Sequence, residues 1–155
     1  ADHHNAEALG VLCDVADAAA VERAMALTVE RFGGIDVLVN NAGITHRSSF
    51  ADTELAVFQR IMAVNYFGAV HCTRAALPSL IARRGQIIVL SSLSGFAPLL
   101  YRSAYNSSKH ALHGLFVLIK NVTKGLITAQ QSVISVQNGI TVITNINKFE
   151  QLLLI

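Results

Sequence analysis

The stretch QIIVLSSLSGFAPLLYRSAYNSSKHAL, residues 86–112, carries the pattern that decides the fold. Residues 86–90 form a short apolar run that predicts a buried strand, which ends at Ser91 and Ser92. A loop with glycine and proline follows, and a helix is predicted from residue 103 to about residue 120. A buried strand followed by a long helix is the repeating unit of α/β proteins.

The same unit precedes this stretch twice. Residues 8–13 (ALGVLC) and 35–39 (IDVLV) are apolar runs that predict two more buried strands. Asp17 predicts the N-terminal cap of a helix over residues 18–32, which a glycine pair then ends. The uniformly apolar strands predict a doubly wound parallel sheet in three α/β/α layers.

The longest helical stretch lies between the second and third predicted strands. It begins at Asp52 or Thr53 and runs to about Arg84, with an interruption or kink expected at Pro78. Its apolar positions predict packing against other helices.

Polar residues follow each predicted strand directly. Ligands of open α/β sheets bind at the carboxyl edge of the strands, so this edge is the predicted functional site. The residues concerned are Asp14, Asn40, Asn41, Ser91 and Ser92.

Composition excludes several classes of protein. The 155 residues are 52% hydrophobic and 14% charged, which argues against intrinsic disorder, and no apolar run reaches the roughly 20 residues of a membrane span. A net charge of +2 gives no basis for nucleic-acid binding, and the six histidines show no zinc-ligand spacing. Cys13 and Cys72 read as reduced core thiols of a cytoplasmic protein, with a disulfide as the less favoured alternative.

The composition changes near Leu115. Residues 1–114 contain 20 alanines and eight arginines, whereas residues 115–155 contain one alanine and no arginine. We therefore treat residues 1–114 as one domain and residues 115–155 as a divergent tail. The Asn138-Gly139 pair predicts a β-hairpin of residues 132–137 and 140–145, as an edge addition or as an unrelated appended sequence.

Tyr105 and Lys109 are four residues apart in the last predicted helix, so they lie on one helix face. An ammonium group near a phenol favours the phenolate, which makes Tyr105 a candidate general acid or base. This spacing by itself is common on protein surfaces.

The pair does not stand alone. Ser92 lies thirteen residues before Tyr105, Asn65 lies in MAVNYFG on the long helix, and residues 40–43 read NNAG after a strand. With Asp14-Val15 after the first strand, this set resembles the classical short-chain dehydrogenase/reductase family over roughly residues 8–114. The resemblance implies a partial Rossmann-type sheet and hydride transfer between NAD or NADP and a carbonyl or alcohol substrate.

The resemblance also implies roles for individual residues. The catalytic residues would be Asn65, Ser92, Tyr105 and Lys109: Tyr105 exchanges the proton, Lys109 favours its phenolate and binds the nicotinamide ribose, Ser92 orients the substrate, and Asn65 holds a relay water. Tyr105 and Lys109 would also bind the cofactor, together with Asp14, Val15, Asn41, Ala42 and Gly43. Two structural alternatives remain: Asp14 as a cap on the approach to a helix, and Asn65 as the partner of a break in its helix. The long helices would form a homodimer or homotetramer interface.

The sequence departs from the family pattern at its start and again near Leu115, since the family's next strand ends in a Pro-Gly turn and no proline follows Pro98 here. It starts at the family's third strand, and the first βαβ unit with its glycine-rich turn is missing. The strand ending at Asn40 is therefore expected to expose one edge, and the chain alone is expected to bind cofactor weakly or not at all. The alternative function is a non-catalytic fragment that acts, if at all, by helix-mediated association.

Overall fold

The computed structural model describes residues 8–122, 128–133 and 152–154. A π-helical segment spans Ala63–Phe67, and a 3₁₀ turn spans Leu93–Gly95. The helices are α1 (Ala18–Phe32), α2 (Leu55–Met62), α3 (Gly68–Arg83) and α4 (Ser103–Val122), and the strands are β1 (Val37–Asn40), β2 (Gln86–Ser91), β3 (Thr128–Val133) and β4 (Leu152–Leu154).

The described strands form one parallel sheet in the order β3-β2-β1-β4. Asn40 at the end of β1 is aligned with Val89 of β2, so both strands leave the sheet at the same edge. The predicted parallel α/β architecture is confirmed, and this edge positions the candidate site.

The helices pack on one face of this sheet. Leu38, Ile87 and Val89 point toward them and join a core with side chains of α1, α3 and α4. The alternate strand residues form a second buried cluster of strand side chains only: Val37, Val39, Ile88 and Leu90. The described helices therefore make one layer, and the opposite face of the sheet is also buried.

Helix α1 has the boundaries that the sequence predicts. The Asp17 carboxylate accepts hydrogen bonds from the amides of Ala19 and Ala20. Gly33 ends the helix in the left-handed conformation with φ 75°, which glycine adopts without steric strain.

The strand predicted over residues 8–13 is wrong. These residues have no regular structure, and Leu12 is fully exposed. An apolar run becomes a strand only where a neighbour supplies partners for its backbone, and no described strand pairs with this one. Val15, two residues after this segment, is the first described residue that is buried in the core.

The long helix differs from its prediction at three points. It starts at Leu55 after Glu54, because Asp52 is held in a turn by Ser49. It continues through Pro78 to Arg83, so the interruption expected at the proline is wrong, and the alternative of a kink stays a prediction. The irregularity lies instead in the π-helical segment that contains Asn65.

The expectation of an exposed β1 edge is also wrong. The backbone of β4 pairs with β1, with Leu152 aligned with Val37. The predicted turn at Asn138-Gly139 and the second hairpin strand lie outside the described residues. Helix α4 passes through the predicted domain boundary after residue 114 as one continuous helix, and that boundary stays a prediction.

Candidate active site

Lys109 lies at the centre of the candidate site. Helix α4 carries it toward the end of β2, where its Nζ donates a hydrogen bond to the Leu90 carbonyl at 2.9 Å. The side chain is only 5% exposed, and burial lowers the pKa of its ammonium group. No other hydrogen bond of this ammonium is formed within the described residues, so two of its three N–H groups remain for a ligand or water.

Tyr105 lies one helical turn before Lys109. The Lys109 Nζ is 5.8 Å from the centre of the Tyr105 ring, which is only partly buried. The structure therefore brings a buried cation and a partly accessible phenol together, as the four-residue spacing predicts.

Asn65 is buried within the π-helical segment and is fully engaged. Its Oδ1 accepts from the Ile44 amide at 2.8 Å, and its Nδ2 donates to the Ile44 carbonyl and to the Ser108 hydroxyl, both at 2.9 Å. The π-helical segment thus places Asn65 between the loop after β1 and helix α4. The alternative interpretation of Asn65 is that it serves as the partner of a break in its helix. The π-helical segment is such a break, so this interpretation describes the same hydrogen bonds.

Ser92 directly follows β2. Its Oγ accepts a hydrogen bond from the Ser94 amide at 3.2 Å, which leaves the hydroxyl proton to be donated elsewhere. Gly95 then allows the chain to pass close to α4, since a Cβ there would lie 3.2 Å from the Lys109 carbonyl oxygen and 2.8 Å from the Ser91 Oγ.

Asp14 and Val15 approach the site from the other side. The Asp14 carboxylate accepts from the Ala16 amide and pairs with Arg60 at 3.4 Å, and these two contacts hold the pKa of Asp14 below its usual value. The hydrogen bond to Ala16 is the local contact that the capping interpretation expects. Val15 is buried and lines a small cavity together with Asn65 and Lys109.

A cavity with room for about one water molecule lies beneath this group. Its polar lining comes from Asn40, Asn65 and Lys109, and its apolar lining includes Val15 and Ala42. A buried ammonium with free donors beside a water-sized space is a suitable place for an ordered water.

The loop after β1 leaves space next to the buried cation. A Cβ at Gly43 would lie 3.5 Å from the Asn65 Oδ1 and 3.8 Å from the Lys109 Nζ, which are ordinary contact distances. The glycine is therefore not required by the protein's own packing, and it keeps open the space between these two groups. The open space at Gly43 and the exposed Asn41 leave room for a ligand beside Lys109.

Several residues at the site are absent from the sequence prediction. Ser108 is fully buried and bonds to Asn65 and to the Tyr105 carbonyl. Thr73 binds the side chain of Asn40, and Arg60 binds Asp14. Only Ser108 had a sequence signal, because it lies one turn after Ala104 on the buried face of α4, directly before Lys109.

Within the part of the chain that the structure describes, no group of three or more metal-ligating side chains could hold a metal ion. Both cysteines are free thiols. None of the described helices is long and apolar enough to cross a membrane.

The chain belongs to the short-chain dehydrogenase family, because the family model described as short chain dehydrogenase matches residues 1–151. Dehydrogenase/reductase SDR family member 7B of Rattus norvegicus is 44% identical over 107 residues, 68% of this chain and 33% of that protein. Family member 7 of Mus musculus is 40% identical over 104 residues, 66% of this chain and 31% of that protein. The chain thus spans about a third of the length of these curated relatives.

Two solved structures have a similar fold. An alcohol dehydrogenase from the archaeon Thermococcus sibiricus, complexed with 5-hydroxy-NADP, is 27% identical with a TM-score of 0.73, over 77% of this chain and 50% of that one. A short-chain dehydrogenase from Streptomyces avermitilis is 29% identical with a TM-score of 0.74, over 79% of this chain and 45% of that one. The fold is accordingly that of a Rossmann-like oxidoreductase.

Proposed function

We propose that the chain is the catalytic part of an NAD- or NADP-dependent oxidoreductase that acts on a carbonyl or secondary alcohol. The observation that carries this proposal is the buried Lys109 ammonium, placed beside Tyr105 and a water-sized cavity shared with Asn65. The reduced or oxidised nicotinamide, when bound, supplies or accepts the hydride.

In this proposal Tyr105 moves the proton. Its phenol gives a proton to the substrate oxygen during reduction, and its phenolate takes the proton from the substrate hydroxyl during oxidation. The Lys109 ammonium, 5.8 Å from the Tyr105 ring centre, would attract the negative charge that develops on the Tyr105 oxygen as the proton leaves. Asn65 fixes the shape of the cavity. A water in that cavity would accept a hydrogen bond from Lys109.

Ser92 orients the substrate oxygen. Since the Ser94 amide already donates to the Ser92 Oγ, the serine hydroxyl is free to act as a donor. Ser92 and Tyr105 would then both donate to one substrate oxygen, which fixes the carbonyl carbon relative to the cofactor.

The cofactor would be held by residues on both sides of the cavity. Lys109 and Tyr105 would bind the nicotinamide ribose, and the adenosine half would lie along Asp14, Val15, Asn41, Ala42 and Gly43. These residues are common to NAD and NADP binding, so the proposal includes both.

The test is reduction of a panel of ketones and aldehydes by the 155-residue chain at millimolar NADH or NADPH. The reaction is monitored through the nicotinamide absorbance. Tyr105→Phe is expected to lower turnover by about 10² to 10⁴-fold, since it removes a general acid. Tyr66→Phe is the matched control, because it removes a phenol that has no role in the proposed mechanism. It should keep the wild-type rate. Turnover that survives Tyr105→Phe would contradict the proposed mechanism.

The non-catalytic alternative has its own outcome in this assay. The glycine-rich turn is absent from the sequence, which favours a chain that associates without turning over. No turnover at millimolar cofactor, together with oligomers that Tyr105→Phe leaves unchanged in sedimentation, would support that alternative.

We also propose self-association through the long helices. Phe67 in the π-helical segment, Ile81 on α3, and Val117 and Leu118 on α4 are large apolar side chains that remain exposed. Sedimentation equilibrium should show a dimer or tetramer, and Leu118→Lys should shift it toward the monomer.

A cytoplasmic location stays a prediction.

A further inference from the structure

Helix α4 carries a buried serine that the proposed mechanism does not use. Ser108 is fully buried and lies directly before Lys109. Its hydroxyl donates to the Tyr105 carbonyl at 2.8 Å and accepts from the Asn65 Nδ2 at 2.9 Å. Because a hydroxyl has one hydrogen, its donor is used within α4 and its oxygen serves a second element. Ser108 is therefore a point at which α4 is bonded to the π-helical segment.

The Asn65 carboxamide extends this contact to the loop after β1. Its Oδ1 accepts from the Ile44 amide at 2.8 Å, and its Nδ2 donates to the Ile44 carbonyl at 2.9 Å. The second hydrogen of the same Nδ2 is the one that the Ser108 hydroxyl accepts. A short chain of hydrogen bonds thus connects three separate elements, which are the loop after β1, the π-helical segment and α4.

Both ends of this chain of hydrogen bonds lie beside the buried ammonium. Gly43 directly precedes Ile44, and a Cβ at Gly43 would lie 3.8 Å from the Lys109 Nζ. Farther along α4, Leu112 packs in the apolar core. Apolar packing is non-directional, whereas a hydrogen bond fixes a distance and an angle. The bond from Asn65 to Ser108 therefore helps to set how far α4 lies from the loop after β1.

We propose that Ser108 is a positioning residue, whose hydrogen bond with Asn65 fixes α4 so that Tyr105 and Lys109 keep their places at the cavity. This inference rests on the proposed function, in which Tyr105 exchanges the proton and Lys109 binds the nicotinamide ribose. Tyr105 and Lys109 lie one turn apart on the same helix, so a shift of α4 moves both groups together. A misplacement of about 1 Å can lower a reaction rate roughly 10²-fold. Ser108 itself touches neither the substrate nor the cofactor.

The neighbouring serine on α4 provides a matched control. The Ser107 hydroxyl donates to the Ser103 carbonyl at 2.9 Å, which is the same kind of bond within α4 that Ser108 makes to Tyr105. Ser107 is exposed, and within the described residues its side chain bonds to no other element. Ser107→Ala and Ser108→Ala therefore both remove a hydrogen bond within the helix. Only Ser108→Ala also removes an acceptor from Asn65.

The contact itself is tested by hydrogen exchange of the Asn65 carboxamide, measured by NMR on the 155-residue chain. Both Nδ2 hydrogens are bonded in the wild type, so both should exchange slowly. In Ser108→Ala the hydrogen that faces α4 should exchange faster, and Ser107→Ala should leave it protected. Ser108→Thr keeps the hydroxyl and should keep the protection. Amides of α1 should exchange equally in all four proteins, which shows that the fold is retained.

A second readout needs no turnover. Burial lowers the pKa of Lys109, and a looser α4 would admit water to its ammonium group. In Ser108→Ala the pKa of Lys109 should therefore rise toward that of a free lysine side chain, while Ser107→Ala should leave it unchanged. NMR titration of the lysine Cε resonances measures this pKa, and the resonance that is missing in Lys109→Met identifies the residue.

Steady-state kinetics test the consequence for the reaction. Ser108→Ala should lower kcat at least about tenfold, because a displaced Tyr105 transfers the proton less efficiently. KM for the carbonyl substrate should stay within about twofold, since Ser108 makes no contact with the substrate. Ser107→Ala should keep both constants, and Ser108→Thr should restore kcat to the extent that it restores the protection of Asn65.

The outcomes distinguish this inference from the proposed function. Lost protection of Asn65 and a raised pKa of Lys109 in Ser108→Ala, without turnover in any of the proteins, support the placement of α4 by Ser108 and contradict the oxidoreductase activity. Turnover that Ser108→Ala leaves at the wild-type rate supports the activity and overturns the positioning role. Equal effects of Ser107→Ala and Ser108→Ala would also overturn it.

Discussion

Lys109 is a cation enclosed by the protein. Its ammonium group lies among buried strand and helix residues and donates to one backbone carbonyl. The charged form loses water on folding, and no carboxylate of the described residues forms an ion pair with it. Such a group weakens the fold at neutral pH and is retained where its charge serves a site.

The pH dependence of stability should show this effect of Lys109. Burial lowers its pKa from 10.5, so the unfolded chain keeps a proton in a pH range where the folded chain has lost it. Unfolding then takes up a proton, and the folded state gains stability as the pH rises through that range to 10.5. The penalty is fully present below the lowered pKa.

The measurement compares the wild type with Lys109→Met by urea unfolding at several pH values. Lys109→Met should be the more stable protein at neutral pH, by about 1.4 kcal/mol for each unit by which the pKa is lowered. The difference in stability between the two proteins should shrink as the pH approaches the pKa of a free lysine side chain. Curves that stay parallel over the whole range would show that burial does not perturb this group.

The helices contain two glycines with opposite surroundings. Gly68 begins α3, and a Cβ there would lie 2.7 Å from Val15 Cγ2, too close without a shift of the core. Gly114 lies within α4 with nothing near the position of a Cβ. The first glycine is required by packing, whereas the second only weakens its helix.

Alanine at the two positions should therefore change stability in opposite directions. Gly114→Ala should stabilise the chain by about 1 kcal/mol, the difference in helix propensity between the two residues. Gly68→Ala should destabilise it by about 1 to 3 kcal/mol, because overpacking against Val15 exceeds the gain in propensity. Thermal unfolding of both variants followed by circular dichroism checks this, and two changes of the same sign would contradict the packing at Val15.

At the scale of the sheet, the candidate site lies at the carboxyl edge of β1 and β2. Pyrophosphate binds in this fold class at a helix N-terminus behind a glycine-rich turn, and the sequence contains no such turn. The strand position beside β1 is filled by β4, which pairs with it in parallel. Among the described residues β4 therefore covers this side of β1, but a strand alone provides no pyrophosphate site.

Cofactor affinity should reflect this arrangement. The 155-residue chain should bind NADH and NADPH with a Kd above the micromolar range, because the proposed ribose contacts at Lys109 and Gly43 would act without a pyrophosphate site. Fluorescence titration of both nucleotides measures the Kd, with Lys109→Met as the variant that should weaken the residual binding further. Micromolar affinity for either nucleotide in this chain would contradict the prediction.

The sequence by itself determined the parts that depend on near neighbours. Helix α1 with its Asp17 cap and Gly33 end follows from local hydrogen bonds. The apolar β2 followed by α4 and the Tyr105–Lys109 spacing follow from periodicity, since residues four apart share one helix face. These features were predictable because the residues that form them are close in the chain.

The tertiary structure decided what depends on distant residues. Residues 8–13 have strand-like composition but no partner strand in the described part of the chain, whereas residues 152–154 pair with β1. Asn65 binds Ile44 and Ser108, which are 21 and 43 residues away in the chain. A backbone edge or a buried amide takes whichever partner the packed chain brings within hydrogen-bond distance, and that partner cannot be found from local pattern alone.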